Sequence, residues 1–258
     1  MKLLLQRTLN HHLEGPFWLE SAYVDDGRMH AYLILMRDRD SHFEPRYGPG
    51  GEVYWISDKE EIPKVYRQNA KTALTARPTF KFGFQEQAMV TLESRDPDSP
   101  YELCYQDQLL PLDNSLTHLD RIPGSQDWLV SSLDTLYRGC LERLETVGPT
   151  PARRFSAGPA HFYYTRRHEL IQHPYAGQPE SIFACQEGSL VYPLYTPQGI
   201  LVTQEDCPEH HLWLVNPQTK EASSLWNGPD EWVYACDFTG RTWRSIPCIW
   251  PISRACLP

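Results

Sequence analysis

The sequence predicts an α+β fold: an N-terminal mixed sheet with one or two helices, a long amphipathic helix, then a mostly antiparallel β half. Three observations predict it. Residues 17–24 and 29–37 are β-rich runs separated by Asp25-Asp26-Gly27, a hairpin turn signal. Trp128, Leu129, Leu133, Leu136, Cys140, Leu141 and Leu144 recur at three- and four-residue intervals, the spacing of one helical face. Beyond residue 150, short apolar runs alternate with turns such as Thr196-Pro197-Gln198-Gly199 and Asn216-Pro217-Gln218-Thr219.

Taken in order, residues 2–9 form a first strand, because the apolar run of Leu3, Leu4 and Leu5 is ended by Gln6 and Arg7. That run is too short for a secretory signal, which needs an apolar stretch of about 7 to 15 residues. The two β-rich runs follow, then the Gly-rich turn Gly48-Pro49-Gly50-Gly51. Ser57-Asp58-Lys59-Glu60 has capping-box spacing, and the helix it announces is expected from Pro63 to about Leu74. Strands are expected over 79–84, 88–94 and 101–105, with Asp96-Pro97-Asp98-Ser99-Pro100 as a turn. Ser125 caps the long helix and Gly148 ends it. The remaining candidate strands are 161–166, 181–186, 190–195, 200–204, 212–215, 231–237 and 241–246, a pattern that builds a meander or a small open barrel.

Three segments result: an acidic α+β subdomain over 1–124, a joining helix over 125–148, and a mostly β subdomain over 149–258. Charge supports the division. Residues 1–150 hold 23 acids and 16 bases, residues 151–258 hold 10 and 8, and Lys220 is the only lysine of the second part.

The net charge of −9 argues against a nucleic-acid binder with a broad basic face. No apolar run approaches the roughly 20 residues that cross a bilayer as a helix. Seven cysteines, an odd number set beside large apolar residues, read as reduced and structural, so the expected compartment is the cytoplasm.

Catalytic and metal motifs are tested by spacing. His168 and His173 are five apart, which puts them roughly 140° out of line on a helix, so a zinc-protease pair is excluded. Cys207 and His210 could make one half of a zinc site, but no second close Cys/His pair stands elsewhere, and a polar turn before Leu212 is the simpler reading. No nucleophile elbow, phosphate loop or dinucleotide fingerprint is present. No cofactor and no metal are expected, and the chain reads as a non-enzyme.

Protein binding remains. Trp and Tyr dominate interface hot spots, and surface acids steer a basic partner. The candidate contact residues are Asp58, Glu60, Glu61, Asp96, Asp98, Trp226, Asp230, Glu231 and Trp232. In general character, as an acidic, aromatic-rich α+β chain without a catalytic motif, the sequence resembles the immunity proteins of bacterial polymorphic-toxin and type VI secretion systems. The resemblance implies a cytoplasmic inhibitor that binds and neutralises a cognate toxin domain, often a basic nuclease. The alternatives are a hydrolase whose site is assembled from distant residues, or a non-catalytic scaffold or adaptor.

Overall fold

The computed structural model describes residues 1–9, 17–25, 28–37, 42–96, 98–110, 112, 115–228 and 231–239. Among them every regular element is a strand and none is a helix. The first three strands are β1 (Lys2–Leu9), β2 (Phe17–Asp25) and β3 (Arg28–Arg37), followed by β4 (His42–Tyr47), β5 (Val53–Ser57) and β6 (Lys64–Arg67). Next come β7 (Thr79–Gln85), β8 (Ala88–Glu93), β9 (Glu102–Tyr105) and β10 (Gln108–Leu110). The middle of the chain supplies β11 (Leu116–Arg121), β12 (Trp128–Ser132), β13 (Thr135–Cys140) and β14 (Arg143–Pro149). After them run β15 (Phe155–Ala157), β16 (His161–Arg166), β17 (Glu169–Pro174) and β18 (Glu180–Ala184). The last are β19 (Ser189–Thr196), β20 (Gly199–Glu205), β21 (His210–Val215), β22 (Ala222–Gly228) and β23 (Glu231–Thr239).

These strands make six antiparallel sheets, five of four strands and one, β4-β5-β6, of three. Sheets that are neighbours in sequence touch in space. The sheet ordered β23-β1-β2-β3 combines the first and last of the described strands, and Lys2 to Leu9 pair with Thr239 to Glu231. The circle is therefore closed by hydrogen bonds rather than by packing alone. A closed ring of radially arranged antiparallel sheets is a β-propeller.

The apolar core has six parts, each lying between two neighbouring sheets. Leu3 and Leu5 pack with Leu201 and Leu212 of the preceding sheet, whereas Leu4 between them packs with Val53, Trp55 and Tyr66 of the following one. Phe82 meets Tyr54 and Ile56, and Trp128 meets Val90 and Leu92. Leu129 turns to Phe162 and Tyr164, and Leu170 to Ile200. Strands buried on both faces are apolar at successive positions, as residues 53–56 and 128–130 are. Each fully buried Leu, Ile or Phe contributes about 1.5 to 3 kcal/mol of transfer free energy, so the wedges hold the ring together.

The α+β expectation is overturned by this architecture. The segment 125–148 is not a helix but the strands β12, β13 and β14. Trp128 and Val130 face one neighbouring sheet and Leu129 the other, a period of two. Leu133, which a helix would bury with the rest, sits at a hairpin tip and is 69% exposed. Short strands buried on both faces produced an apolar spacing that imitates the 3.6-residue repeat. The turn chemistry is local: Ser132 Oγ accepts from the Thr135 amide at 3.0 Å. At the next hairpin, a Cβ on Gly139 would collide with the Arg143 carbonyl, so glycine is required there.

The helix expected over 63–74 is also absent. Ser57 Oγ accepts from the Lys59 amide and Asp58 O from the Glu61 amide, so the capping chemistry closes a turn, with Glu61 at φ 70°. Residues 64–67 are β6. Its outer edge is occupied by the chain itself, where the Leu74 amide donates to Val65 O and the Val65 amide to Thr75 Oγ1. The strand expected over 231–237 is β23, which continues past Asp237 to Thr239. The strand expected over 241–246 falls outside the described residues.

Candidate functional site

The innermost strands are β4, β7, β11, β15, β19 and β23. Five of the six carry a register irregularity: at Glu44, Phe80, Thr117, Tyr192 and Cys236. Bulges turn side chains that regular pleating would direct elsewhere. Two are built alike, with Glu44 before Pro45 and Tyr192 before Pro193, at φ 51° and 54°. A left-handed residue that is not glycine is strained, and such strain collects at functional positions.

The result is a ring of six side chains, one on or immediately before the innermost strand of each sheet: Glu44, Lys81, His118, Arg154, Tyr192 and Cys236. Glu44 is the hub. Its carboxylate accepts from Lys81 Nζ at 2.8 Å and from Arg154 Nη1 at 3.1 Å, and the Arg154 guanidinium lies 4.3 Å over the Tyr192 ring. Burial alone would raise the Glu44 carboxyl, but Lys81, Arg154 and Arg46 outweigh it and hold it well below the usual range. Burial pushes the Lys81 ammonium down to about 8 against the pull of Glu44. His118 is driven well below its ordinary value by burial and by Lys81, and is neutral near pH 7. The buried Cys236 thiol is pushed up to about 12, chiefly by burial and by Glu44, so it supplies no thiolate near neutrality.

Two residues further along the same strands, Arg46, Asp120 and Ser156 stand with Asp237 at one mouth of the ring. A cavity of about 310 Å³ opens there, with Tyr195 and Phe238 on its wall and Arg121, Pro123 and Gly124 at its edge. Arg46 Nη1 is 3.6 Å from Asp120 Oδ1. The Asp120 carboxylate accepts from the amides of Arg121 and Ala157 and from Ser156 Oγ. Asp237 accepts from the Tyr47 amide at 2.7 Å and the Phe238 amide at 2.8 Å. Burial raises its carboxyl to about 6, only partly offset by Arg46. The turns that lead from the inner strands to the second ones surround this mouth and carry Glu52, Glu86 and Asp127.

A larger hollow of about 460 Å³ lies on the flank of the β7–β10 sheet, beside Arg77, Glu93 and Cys104. Its polar groups do not converge: Glu93 is taken by Thr91 Oγ1. The axial mouth is the better candidate because ionic side chains from several sheets meet there.

The sequence-predicted contact residues are spread over four sheets. Asp58, Glu60 and Glu61 are exposed on the β5–β6 turn, where Glu60 pairs with Lys64 at 2.9 Å. Asp96 and Asp98 are exposed on the β8–β9 turn, and Asp96 is engaged by Ser99 Oγ and the Asp98 amide. Trp226 is half-buried on β22 against the wedge that contains Leu3 and Leu201. Glu231 and Trp232 begin β23, and Asp230 lies outside the described residues. Cys207 donates to Glu209 O and His210 is buried on β21, and no cluster of metal-binding side chains occurs among the described residues. The axial residues were missed. Their available signals were two prolines inside strand patterns, at Pro45 and Pro193, each following a residue forced out of regular pairing.

No family model and no curated protein matches this chain. Solved structures do. The crystal structure of TolB from Acinetobacter baumannii superposes with a TM-score of 0.65 at 12% identity, over 90% of this chain and 65% of that one. The chain thus spans about two thirds of that protein. A chain of a nidogen/laminin complex superposes with a TM-score of 0.65 at 8% identity, over 92% of this chain and 100% of that one. The TolB-like structure from Agrobacterium tumefaciens gives 0.54 at 11% identity, over 91% and 97%. At such identities the likeness concerns the fold, and it supports the propeller.

Proposed function

We propose that this protein is a binding protein whose partner docks at the axial mouth. The observation that carries the reading is the convergence of Arg46, Asp120, Asp237 and the Tyr195 and Phe238 rings on one open cavity. Aromatic rings beside fixed charges, Tyr195 with a polar handle among them, are the material of interface hot spots. The Cys236 thiol, the only axial one among the described residues, is held protonated, and Ser156 Oγ spends its proton on Asp120, so binding suits the groups better than nucleophilic chemistry does. Glu52, Glu86 and Asp127 make the rim acidic, which would draw a basic partner surface. A narrower proposal, that the partner is a basic toxin domain, rests on the charge of −9 alone.

A photo-crosslinking residue at Glu86 tests the docking face, with Glu145 on the outer strand β14 as the control. One partner identified by mass spectrometry is expected from position 86, with yields that fall as salt is raised. Equal or stronger crosslinking from position 145, or none from 86, would remove the axial reading. For the toxin proposal, the chain should protect cells that express the product of the adjacent reading frame; failure to protect ends it.

A further inference from the structure

We infer that the axial cavity is a carboxylate-binding site in which the Arg46 guanidinium meets the ligand's oxygens. The inference deepens the docking proposal and rests on it only for the source of the carboxylate. Its basis is a count of donors and acceptors at the axis. Arg46 has five N–H donors, and its nearest carboxylate oxygen, at 3.6 Å, is beyond hydrogen-bond reach. Its Nε is buried without a partner. One layer deeper, Lys81 has three donors and places one on Glu44, and the buried His118 Nε2 has no partner. Both oxygens of Glu44, of Asp120 and of Asp237 already accept at least one hydrogen bond from other donors. What Arg46 lacks is therefore an acceptor placed within reach of its fork.

The charge around the cavity limits which acceptor it can be. The groups that line the cavity, Arg46 and Arg121 against Asp120 and Asp237, sum to zero, and Lys81 and Arg154 against Glu44 leave one positive charge in the layer below. A single negative charge with two oxygens matches the flat fork of Arg46. A doubly charged phosphate would meet Asp120 and Asp237 at close range. The walls of Tyr195 and Phe238 suit the short apolar stem that a carboxylate carries. Two sources share this chemistry: a side-chain or C-terminal carboxylate of the docked partner, and a free small carboxylate.

Asp237 gives the site a pH dependence. It faces Arg46 from β4 and Asp120 from β11, with the Tyr47 and Phe238 amides on its oxygens and Glu44, Lys81, His118 and Arg154 one layer below. Protonation of Asp237 removes one negative charge from the cavity floor. Carboxylate binding is thus coupled to proton uptake, and affinity strengthens as pH falls through about 6.

The test is a calorimetric titration of the full chain with sodium acetate, with inorganic phosphate as the comparison. Acetate should bind more tightly than phosphate, and its affinity should rise several-fold from pH 7.5 to 5.5. Arg46→Gln should weaken it at least tenfold, and Arg46→Lys, which keeps the charge without the fork, by less. Circular dichroism of each variant separates loss of binding from loss of fold. Absence of acetate binding, binding unchanged in a folded Arg46→Gln variant, or affinity that rises with pH would overturn the inference. Competition settles the source. Acetate that suppresses the crosslink from position 86 identifies the partner's carboxylate, and acetate that binds without suppressing it identifies a free one. A crosslink that maps elsewhere while acetate still binds would remove the docking reading and leave the carboxylate site standing.

Discussion

Asp237 shows how much a single side chain is shaped by its place on the axis. Two backbone amides favour its charged form, yet burial prevails and pushes its carboxyl from the usual 3.8 up to about 6. Between those values the folded chain holds a proton that the unfolded chain has released. The contribution of this group to stability is fully present below about 4 and is lost as pH rises through about 6. Replacing Asp237 by Asn removes that titration. Urea denaturation at pH 4 and pH 7 should show wild type losing stability relative to the variant, by roughly 1 to 3 kcal/mol. An unchanged difference would mean that the carboxylate is better solvated than its position implies. Glu44 has the reverse balance, since three cations outweigh its burial, and it is the group that lets Lys81 stay charged inside the ring.

At the scale of the element, the hairpin from β12 to β13 is the instructive case. A helix over 125–148 would put Leu129 and Leu133 one turn apart on a single buried face. In the hairpin Leu129 is fully buried and Leu133 is at the exposed tip. The two residues should therefore respond differently. Leu129→Ala should cost about 2 to 5 kcal/mol, whereas Leu133→Ser should change stability by no more than about 0.5 kcal/mol. Equal losses would favour the helix. Most strands were legible because their local signals agreed: β16 covers the residues expected, and the hairpin of β2 and β3 follows the predicted runs. The helix was misread because an apolar spacing alone does not separate a helix from short strands buried on both sides. The axial site was illegible for another reason. Glu44, Lys81, His118, Arg154, Tyr192 and Cys236 come from six separate sheets and share no spacing, so only closure of the ring brings them together.

For the whole molecule, the decisive pairing is between β23 and β1, from opposite ends of the described chain. The composition shift near Gly148–Pro151 coincides with the passage from β14 to β15, between two neighbouring sheets. A chain cut there leaves the first sheet without its inner strand, and the wedge of Leu3, Leu5, Leu201 and Val233 is divided between the pieces. Neither 1–149 nor 150–258 alone should show a cooperative thermal transition, and mixing them should restore one. Two independent sharp transitions would indicate that the halves are autonomous domains. Pairing of such high sequence separation also makes folding slow, because the cost of closing the longest loop precedes its reward.

The same pairing determines how the ring responds to force. Lys2 is opposite Thr239, so the outer ends of the two closing strands lie side by side. Tension applied between those two residues acts across the ladder and opens it one rung at a time, in the manner of a zipper. A force along the strands would instead load all of its rungs together. A ring held together by six packed wedges thus has one seam at which a pull opens it rung by rung.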